Sequence, residues 1–301
     1  MQNPLSAADV PSQFLQAAFL VGQIPLKASK ADPRVSYALY IPPTHYDTDP
    51  QKKLPLLVCI HGTGRNSGAL HREEMISFAN STPCAILAPL FPAGLDGPND
   101  LDSYKMLRSK SLASDLVLLS ILDEVAVRWP GIQADKVFMM GFSGGGQFAQ
   151  RFLYIYPERL LALSVGAPGR VTMLDHVHPW PVGVANVEAL FSRPIRKHNI
   201  QQIPIQLAVG SADNQLHGGE DFWKWLQQFK GMEKGRQGSE LQAMGKGRSE
   251  TLQNLHKAWE KEYIPSQLDI VEGASHEGGK IWPHMMKFLR PLIQAAFHDH
   301  E

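Results

Sequence analysis

Four glycines surround one serine in the segment GFSGGG, residues 141–146. The apolar run before it favours a strand, and the run QFAQRFL after it favours a helix. A serine on such a turn has a strained backbone, so small neighbours are needed at Gly141 and Gly145. The turn exposes the hydroxyl of Ser143 and directs the backbone N–H of Gly144 at the group under attack. The pattern predicts that Ser143 is a nucleophile.

Glycine-rich turns also bind phosphate groups, but this segment differs from two phosphate-binding motifs. No lysine follows the glycines, as a P-loop would require. The spacing of GFSGGG also differs from that of a dinucleotide-binding turn. Both comparisons favour the nucleophile over a phosphate cradle.

A serine hydroxyl needs a histidine to accept its proton and a carboxylate to orient that histidine. Asp213 follows the apolar run IPIQLAVG, and His276 follows the run QLDIVEG, so each lies just past the end of a predicted strand. The chain order serine, aspartate, histidine is that of a known triad on parallel sheets. We therefore predict a triad of Ser143, His276 and Asp213, with Asp175 as the alternative acid.

A second glycine-rich turn, HGTG at residues 61–64, follows the very apolar run LPLLVCI. Such a turn would direct a backbone N–H toward Ser143 and complete an oxyanion hole with Gly144. The sequence leaves two donors open, Thr63 and Gly64. We expect His61 to pack beneath the turn and not to take part in the chemistry.

The elements that must position these residues alternate between short apolar runs and longer runs of helical period, which is typical of β-α-β units. A hairpin is expected first, followed by six buried strands. The predicted strands are 21–28, 35–42, 54–62, 84–90, 136–142, 160–167, 203–210 and 267–273. Four helices are predicted from apolar residues at three-and-four spacing, at 68–80, 111–129, 144–156 and 281–297. This pattern predicts one α/β domain over residues 1–301, with a mostly parallel eight-stranded sheet and helices on both faces.

Two segments interrupt the alternation. Residues 170–200 are rich in proline, histidine and aromatic residues, and they are a candidate lid or pocket wall. Residues 231–250 are rich in glycine and charge, which favours a flexible solvated loop. Four aromatic side chains near the predicted strand ends are candidate substrate contacts, with packing in the core as the alternative for each: Phe91, Tyr104, Phe142 and Trp180.

The composition limits the partners. Lysine plus arginine and aspartate plus glutamate each number 29, so the net charge is zero and gives no general attraction to nucleic acid or to an anionic membrane. The two cysteines, Cys59 and Cys84, are expected to be buried free thiols. His176 and His178 lack further ligands at metal-binding spacing, so no metal is predicted. The start of the chain lacks the basic segment of a secretory signal, which favours a cytoplasmic location.

The segments HGTG, GFSGGG, GSAD and ASHEGG resemble those of the α/β-hydrolase superfamily, and the similarity extends from about residue 20 to about residue 297. Within it, they look similar to the branch of polyhydroxybutyrate-depolymerase-like and feruloyl-esterase-like serine esterases. The resemblance implies hydrolysis of an ester, lactone or thioester through an acyl-enzyme, without a cofactor. From the mixed apolar and neutral lining we expect a small to medium, largely uncharged substrate. An acyltransferase or thioesterase with the same triad and a catalytically silent binding protein are the alternatives.

Overall fold

The computed structural model of the protein describes residues 5–48, 53–66, 73–214 and 247–298. Its strands form one eight-stranded sheet in the order β1-β2-β4-β3-β5-β6-β7-β8. The strands are β1 (Gly22–Ala28), β2 (Ser36–Ile41), β3 (Leu54–Ile60), β4 (Ala85–Leu90), β5 (Ile132–Phe142), β6 (Leu160–Gly166), β7 (Ile205–Gly210) and β8 (Gln267–Val271). Strand β2 pairs antiparallel with β1 and β4, and the other pairs are parallel. The prediction of a mostly parallel eight-stranded sheet is confirmed.

Helices cover both faces of the sheet. The described helices are α1 (His45–Thr48), α2 (Glu73–Ser81), α3 (Ser114–Arg128), α4 (Gly144–Ile155), α5 (Val187–Phe191), α6 (Lys197–Ile200), α7 (Arg248–Lys261) and α8 (Gly278–His298). Short 3-10 helices lie at Ala7–Asp9, Ser12–Phe14, Ser103–Met106 and Pro157–Arg159. Residues of α3, α4 and α7 share one apolar core, and residues of α2 and α8 share the other.

Strand β3 shows how the sequence builds this two-faced packing. Its seven residues are all buried, because helices cover the strand on both sides. Side chains alternate between the faces, so Leu56 and Val58 enter the core with α3 and α4, whereas Leu57 and Cys59 enter the core with α2 and α8. A continuous apolar run is the sequence signature of such a strand.

Two elements differ from the sequence-based expectations. Strand β5 begins at Ile132, before the predicted start at residue 136, because Leu54 and Pro55 of β3 pair with Ile132 and Gln133. A charged loop is expected over residues 231–250, and residues 231–246 of it lie outside the described part of the chain. Its last residues, 248–250, form the first turn of α7 and not a loop, and Arg248 and Ser249 of this turn are buried.

The segment 170–200, expected to be a lid or pocket wall, is packed onto the core in this structure. Trp180 is 8% exposed and donates its indole N–H to the carbonyl of Met106 at 2.7 Å. Trp180 and Phe191 also make an edge-to-face contact with a centroid distance of 5.0 Å. The backbone of Thr172 is tied to α4 by the side chain of Gln150. These contacts place the segment as a packed outer layer beside α4.

Cys59 and Cys84 are buried free thiols, as predicted. Burial raises the pKa of the Cys59 thiol to about 12, so it stays protonated and unreactive near neutral pH. Among the described residues, no helix is long and apolar enough to cross a membrane.

Candidate active site

Ser143 lies on a tight turn between β5 and α4. Its backbone angles, φ 58° and ψ −116°, fall in a region that costs a non-glycine residue about 1–3 kcal/mol. The turn is closely packed: a Cβ at Gly141 would lie 2.2 Å from the carbonyl oxygen of Gly145. A Cβ at Gly145 would lie 2.2 Å from the carbonyl oxygen of Ile60. Both positions therefore require glycine, as the sequence predicted, and the strain serves to hold the serine at this edge of the sheet.

The structure brings Ser143, His276 and Asp213 together in one chain of hydrogen bonds. The Ser143 Oγ lies 3.0 Å from His276 Nε2, and His276 Nδ1 lies 2.8 Å from Asp213 Oδ2. Because β5, β7 and β8 run in the same direction, the turns that follow them meet at one edge of the sheet. A carboxylate only accepts hydrogen bonds, so Nδ1 carries the ring proton and Nε2 is free to accept the serine proton. The arrangement can therefore deprotonate Ser143 during nucleophilic attack.

The residues joined by these hydrogen bonds differ in how deeply they are buried. The Asp213 side chain is 2% exposed, whereas that of His276 is 28% exposed. The imidazole also stacks on Phe142, with a centroid distance of 4.8 Å and an interplanar angle of 24°. Asp213 and Phe142 thus fix the imidazole from two directions, while its exposed edge stays accessible to a bound molecule.

The alternative acid, Asp175, does not join the site. Its carboxylate pairs with the His178 ring and accepts the backbone N–H of Val177 at 2.7 Å. These bonds lower the pKa of Asp175, first through His178 and then through Val177. Asp175 therefore has a local role in the segment 170–200.

Arg248 is a site residue that the sequence-based analysis missed. Its Nη1 donates to Asp213 Oδ1 at 3.0 Å, on the carboxylate oxygen that does not face His276. The backbone N–H of Ser249 also donates to the Asp213 carbonyl at 3.2 Å. The guanidinium is 9% exposed and compensates the buried negative charge. The apolar spacing of Leu252, Leu255 and Trp259 is the signal that could have revealed the helix carrying it.

The HGTG turn approaches Ser143 at Gly62 and Thr63. A Cβ at Gly62 would lie 3.8 Å from the Ser143 Cβ, and a Cβ at Gly144 would lie 2.8 Å from the Thr63 Oγ1. By contrast, a Cβ at Gly64 would have nothing within 4 Å. Of the two predicted donors, Thr63 is therefore the one that lies against Gly144.

His61 supports the turn as a neutral imidazole. Its Nε2 accepts the backbone N–H of Phe91 at 3.0 Å, so Nδ1 carries the proton and donates to the Gly62 carbonyl at 2.8 Å. The Tyr104 hydroxyl donates to the His61 carbonyl at 2.9 Å. Burial lowers the pKa of His61 to about 4. The expectation that His61 packs beneath the turn agrees with these contacts.

We expect acid to destabilise the protein through His61. The pKa of His61 is the ordinary 6.5 in the unfolded protein and about 4 in the folded protein. The contribution of neutral His61 to the free energy of unfolding is therefore complete above pH 6.5 and is lost as the pH falls to about 4. The full loss is about 3 kcal/mol. Urea unfolding at about pH 7, 6 and 5 measures the slope, which His61→Gln should flatten. The exposed control His198→Gln should keep the wild-type slope; equal slopes for wild type and His61→Gln would contradict the assignment.

The four candidate aromatic contacts have different positions. Phe142 is partly buried beside His276, where a substrate could reach it. Phe91 and Tyr104 are both 0% exposed and stack on each other at 5.6 Å, and Trp180 is held in the core as described. Phe91, Tyr104 and Trp180 therefore correspond to the core-packing alternative in this structure. Tyr104 and Trp180 donate hydrogen bonds to backbone carbonyls, and all three side chains present little or no surface to a ligand.

No group of three or more metal-ligating side chains occurs in the part of the chain that the structure describes. His178 is engaged by Asp175, and His176 lies in the same exposed stretch of the segment 170–200. The groups that converge on Ser143 are a histidine, a carboxylate and backbone N–H donors. This donor set suits proton transfer and acyl transfer.

The sheet topology, the serine turn after β5 and the acid and histidine after β7 and β8 together define the α/β-hydrolase fold. The structure is similar to that of poly(aspartic acid) hydrolase-1 from Sphingomonas sp. KT-1, with a TM-score of 0.64 and 19% identity, covering 84% of this chain and 92% of that one. It is also similar to a poly(3-hydroxybutyrate) depolymerase from Bordetella parapertussis, with a TM-score of 0.62 and 19% identity, covering 96% and 93% of the two chains. A ferulic acid esterase gives a TM-score of 0.55 at 12% identity, covering 91% and 98%. No protein-family model and no curated protein matches the sequence.

These similarities confirm the α/β-hydrolase fold that the motifs indicated. At 12% to 19% identity they establish the fold.

Proposed function

We propose that the protein is a serine hydrolase that cleaves a carboxylic ester, or a related lactone or thioester, through an acyl-enzyme. The observation that carries this proposal is the continuous hydrogen-bond chain from Ser143 Oγ through His276 to the buried carboxylate of Asp213. An oriented imidazole next to a serine on a strained turn is the arrangement that activates a hydroxyl at neutral pH. A small-molecule ester is the proposed partner.

In the first step, Ser143 Oγ attacks the carbonyl carbon of the substrate while His276 Nε2 accepts the hydroxyl proton. Asp213 stabilises the imidazolium through the bond to Nδ1. The backbone N–H groups of Gly144 and Thr63 are the proposed oxyanion donors, and one such donor is worth about 3 kcal/mol of the barrier. The negative charge on the carbonyl oxygen develops beside the amino end of α4, where the helix dipole is also favourable.

In the second step, His276 returns its proton to the leaving group, and the carbonyl re-forms as an acyl-enzyme on Ser143. A water molecule then loses a proton to His276 and attacks the acyl carbon. The bond from that carbon to Ser143 Oγ breaks, His276 returns the proton to Oγ, and the acid is released. Each step uses side chains or backbone groups of this chain. An alcohol or thiol in place of the water would give acyl transfer by the same route.

The test combines turnover and covalent labelling. The purified protein is given 4-nitrophenyl esters of increasing acyl length, and a fluorophosphonate probe is mapped to its peptide by mass spectrometry. We expect ester hydrolysis, loss of activity in step with labelling, and the label on Ser143. A label on another residue, or full activity after labelling, would overturn the proposal. Parallel reactions with added alcohols or thiols measure how much of the acyl group goes to an acceptor other than water.

A further inference from the structure

Positive charge is concentrated next to the candidate oxyanion hole, although the whole chain has no net charge. The cationic cluster consists of Arg65, Lys105 and Arg151, which surround the buried ring of Tyr104. The Arg65 guanidinium carbon lies 4.9 Å from the centroid of that ring, and the Lys105 Nζ lies 5.9 Å from it. Arg151 donates to the backbone carbonyl of Lys105 at 2.7 Å. The three cations thus share one small region.

This region borders Gly144, the proposed oxyanion donor. A Cβ placed on Gly144 would lie 2.5 Å from the Tyr104 hydroxyl and 2.9 Å from the Lys105 Cε. Lys105 is 4% exposed, so its ammonium is held against the site and is not extended into solvent. Arg65 comes directly after the HGTG turn and donates from Nη1 to the Thr63 carbonyl at 2.7 Å. The cluster therefore lies within one or two side chains of the reacting atoms.

The charges of the cluster are only partly balanced. Lys105 pairs with Asp102 at 2.5 Å, and the Asp102 side chain is 64% exposed. Within the described part of the chain, Arg65 and Arg151 hydrogen-bond to neutral oxygens alone, those of Thr63, Thr172 and Lys105. Burial lowers the pKa of Lys105, and the like charges of Arg65 and Arg151 lower it further against the opposing effect of Asp102. Arg65 and Arg151 therefore make no hydrogen bond to a carboxylate among the described residues, although the charge of Asp102 also acts on Arg151.

Arg65 has unused donors. Its Nε and Nη2 are buried from solvent and have no hydrogen-bond acceptor among the described residues. Leaving a buried charged donor unsatisfied is costly, so these two donors call for an explanation, and a bound ligand is one that fits. Nε and Nη2 are the two positions from which the side of a guanidinium binds a planar carboxylate. These donors match a carboxylate better than a neutral ester, and a substrate reaches them once the side chains that cover them move aside.

We infer that Arg65, supported by the positive field of Lys105 and Arg151, binds a carboxylate carried by the substrate, so that the preferred ester is a monoanion with its charge near the scissile bond. The inference rests on the proposed ester hydrolysis and narrows its substrate class. It departs from the largely uncharged substrate expected from the sequence, because a zero net charge conceals this local excess. The carboxylate can belong to the acyl side or to the alcohol side of the ester.

Three chromogenic esters distinguish a carboxylate on the acyl side of the substrate from one on the alcohol side. The substrate 4-nitrophenyl butyrate is neutral, mono-4-nitrophenyl glutarate carries a carboxylate on the acyl side, and 3-carboxy-4-nitrophenyl butyrate carries it on the leaving group. The measured quantity is the ratio of kcat/KM for each charged ester to that for the neutral ester. Arg65→Met retains an unbranched side chain to pack on Tyr104 and removes the charge, whereas Arg65→Lys keeps the charge without the planar donors.

We expect Arg65→Met to lower the ratio for one of the charged esters by about 10-fold to 100-fold, with a smaller loss in Arg65→Lys. The ester that responds identifies the side of the substrate that carries the carboxylate. The control is Arg196→Met, which removes the same charge from an exposed residue just before α6. Because α6 precedes β7, this residue lies at the opposite edge of the sheet from Ser143. Arg196→Met should leave both ratios unchanged. An equal loss for all three esters in Arg65→Met would overturn the inference, since Arg65 would then act on the oxyanion turn alone.

A binding experiment tests the carboxylate site independently of the proposed hydrolysis. Calorimetric titration of the Ser143→Ala protein with the same three esters measures binding without the proposed nucleophile. We expect one of the two charged esters to bind at least tenfold more tightly than neutral 4-nitrophenyl butyrate, and Arg65→Met in the same background to abolish the difference. Equal binding of all three esters would overturn the carboxylate site. Failure of wild type to hydrolyse any ester or to react with fluorophosphonate would instead overturn the proposed hydrolase function.

Discussion

Replacing Ser143 with alanine is expected to lower kcat for 4-nitrophenyl ester hydrolysis by about 10⁴-fold to 10⁶-fold. The hydroxyl oxygen is the proposed attacking atom and lies 3.0 Å from the His276 nitrogen that would accept its proton. Without it, the remaining catalysis comes from the oxyanion donors and from substrate binding. Alanine has the same strained backbone as serine at φ 58°, so the free energy of unfolding should change little.

The controls for Ser143→Ala use residues of the same neighbourhood. Ser275→Ala removes a hydroxyl that is bonded to Glu277 at 3.0 Å, next to His276 in sequence, and it should keep activity within about threefold of wild type. His276→Ala should lose about as much activity as Ser143→Ala, and the double variant should lose no more than either single variant, because the two groups act as a unit. A Ser143→Ala protein with more than about a tenth of wild-type kcat would rule out Ser143 as the nucleophile.

The sequence predicted the central strands well because β3, β4, β6 and β7 are buried on both faces, which the edge strands β1 and β8 are not. Runs such as LPLLVCI have one interpretation when turn residues bound them, and β3 begins at the predicted residue. The start of β5 was missed because Gln133 and Asp135 interrupt its apolar character, although the backbone of Gln133 pairs with β3. Backbone pairing at the end of a strand leaves no mark on the side-chain pattern.

The sequence also located the three residues of the hydrogen-bond chain. Each follows a strand, and parallel strands bring their carboxyl ends to one edge, so position along the chain implies proximity in space. Arg248 could not be found in this way, because it does not closely follow a strand and its contact with Asp213 depends on how α7 packs. The unsatisfied donors of Arg65 and the charge excess around Tyr104 depend on side-chain positions that no spacing rule provides.

The candidate pocket aromatics illustrate a further limit. Phe91 and Phe142 both lie near the ends of predicted strands, yet one is fully buried and the other stacks on His276. An aromatic residue after a strand is equally suited to closing the core and to lining a pocket. The difference is set by neighbours from distant parts of the chain, such as Phe148 beneath Phe91.

Asp213→Asn is expected to reduce kcat by about 10³-fold to 10⁴-fold, whereas Asp175→Asn should leave it within about twofold. Asp213 Oδ1 accepts from Arg248, so the oxygen of an asparagine would stay on that side and its NH₂ group would face His276 Nδ1. The ring proton would then have to move to Nε2, which could no longer accept the proton of Ser143.

The tautomer explanation for Asp213→Asn has its own test. Adding Arg248→Met removes the donor that fixes the asparagine oxygen, which allows the amide to rotate and restore the Nδ1 proton. A partial recovery of kcat in the double variant, with both proteins folded by thermal unfolding, would identify the tautomer as the cause. Because Asp175 is bonded to His178 and Val177 instead, a loss in Asp175→Asn as large as that in Asp213→Asn would move the acid of the site to the segment 170–200.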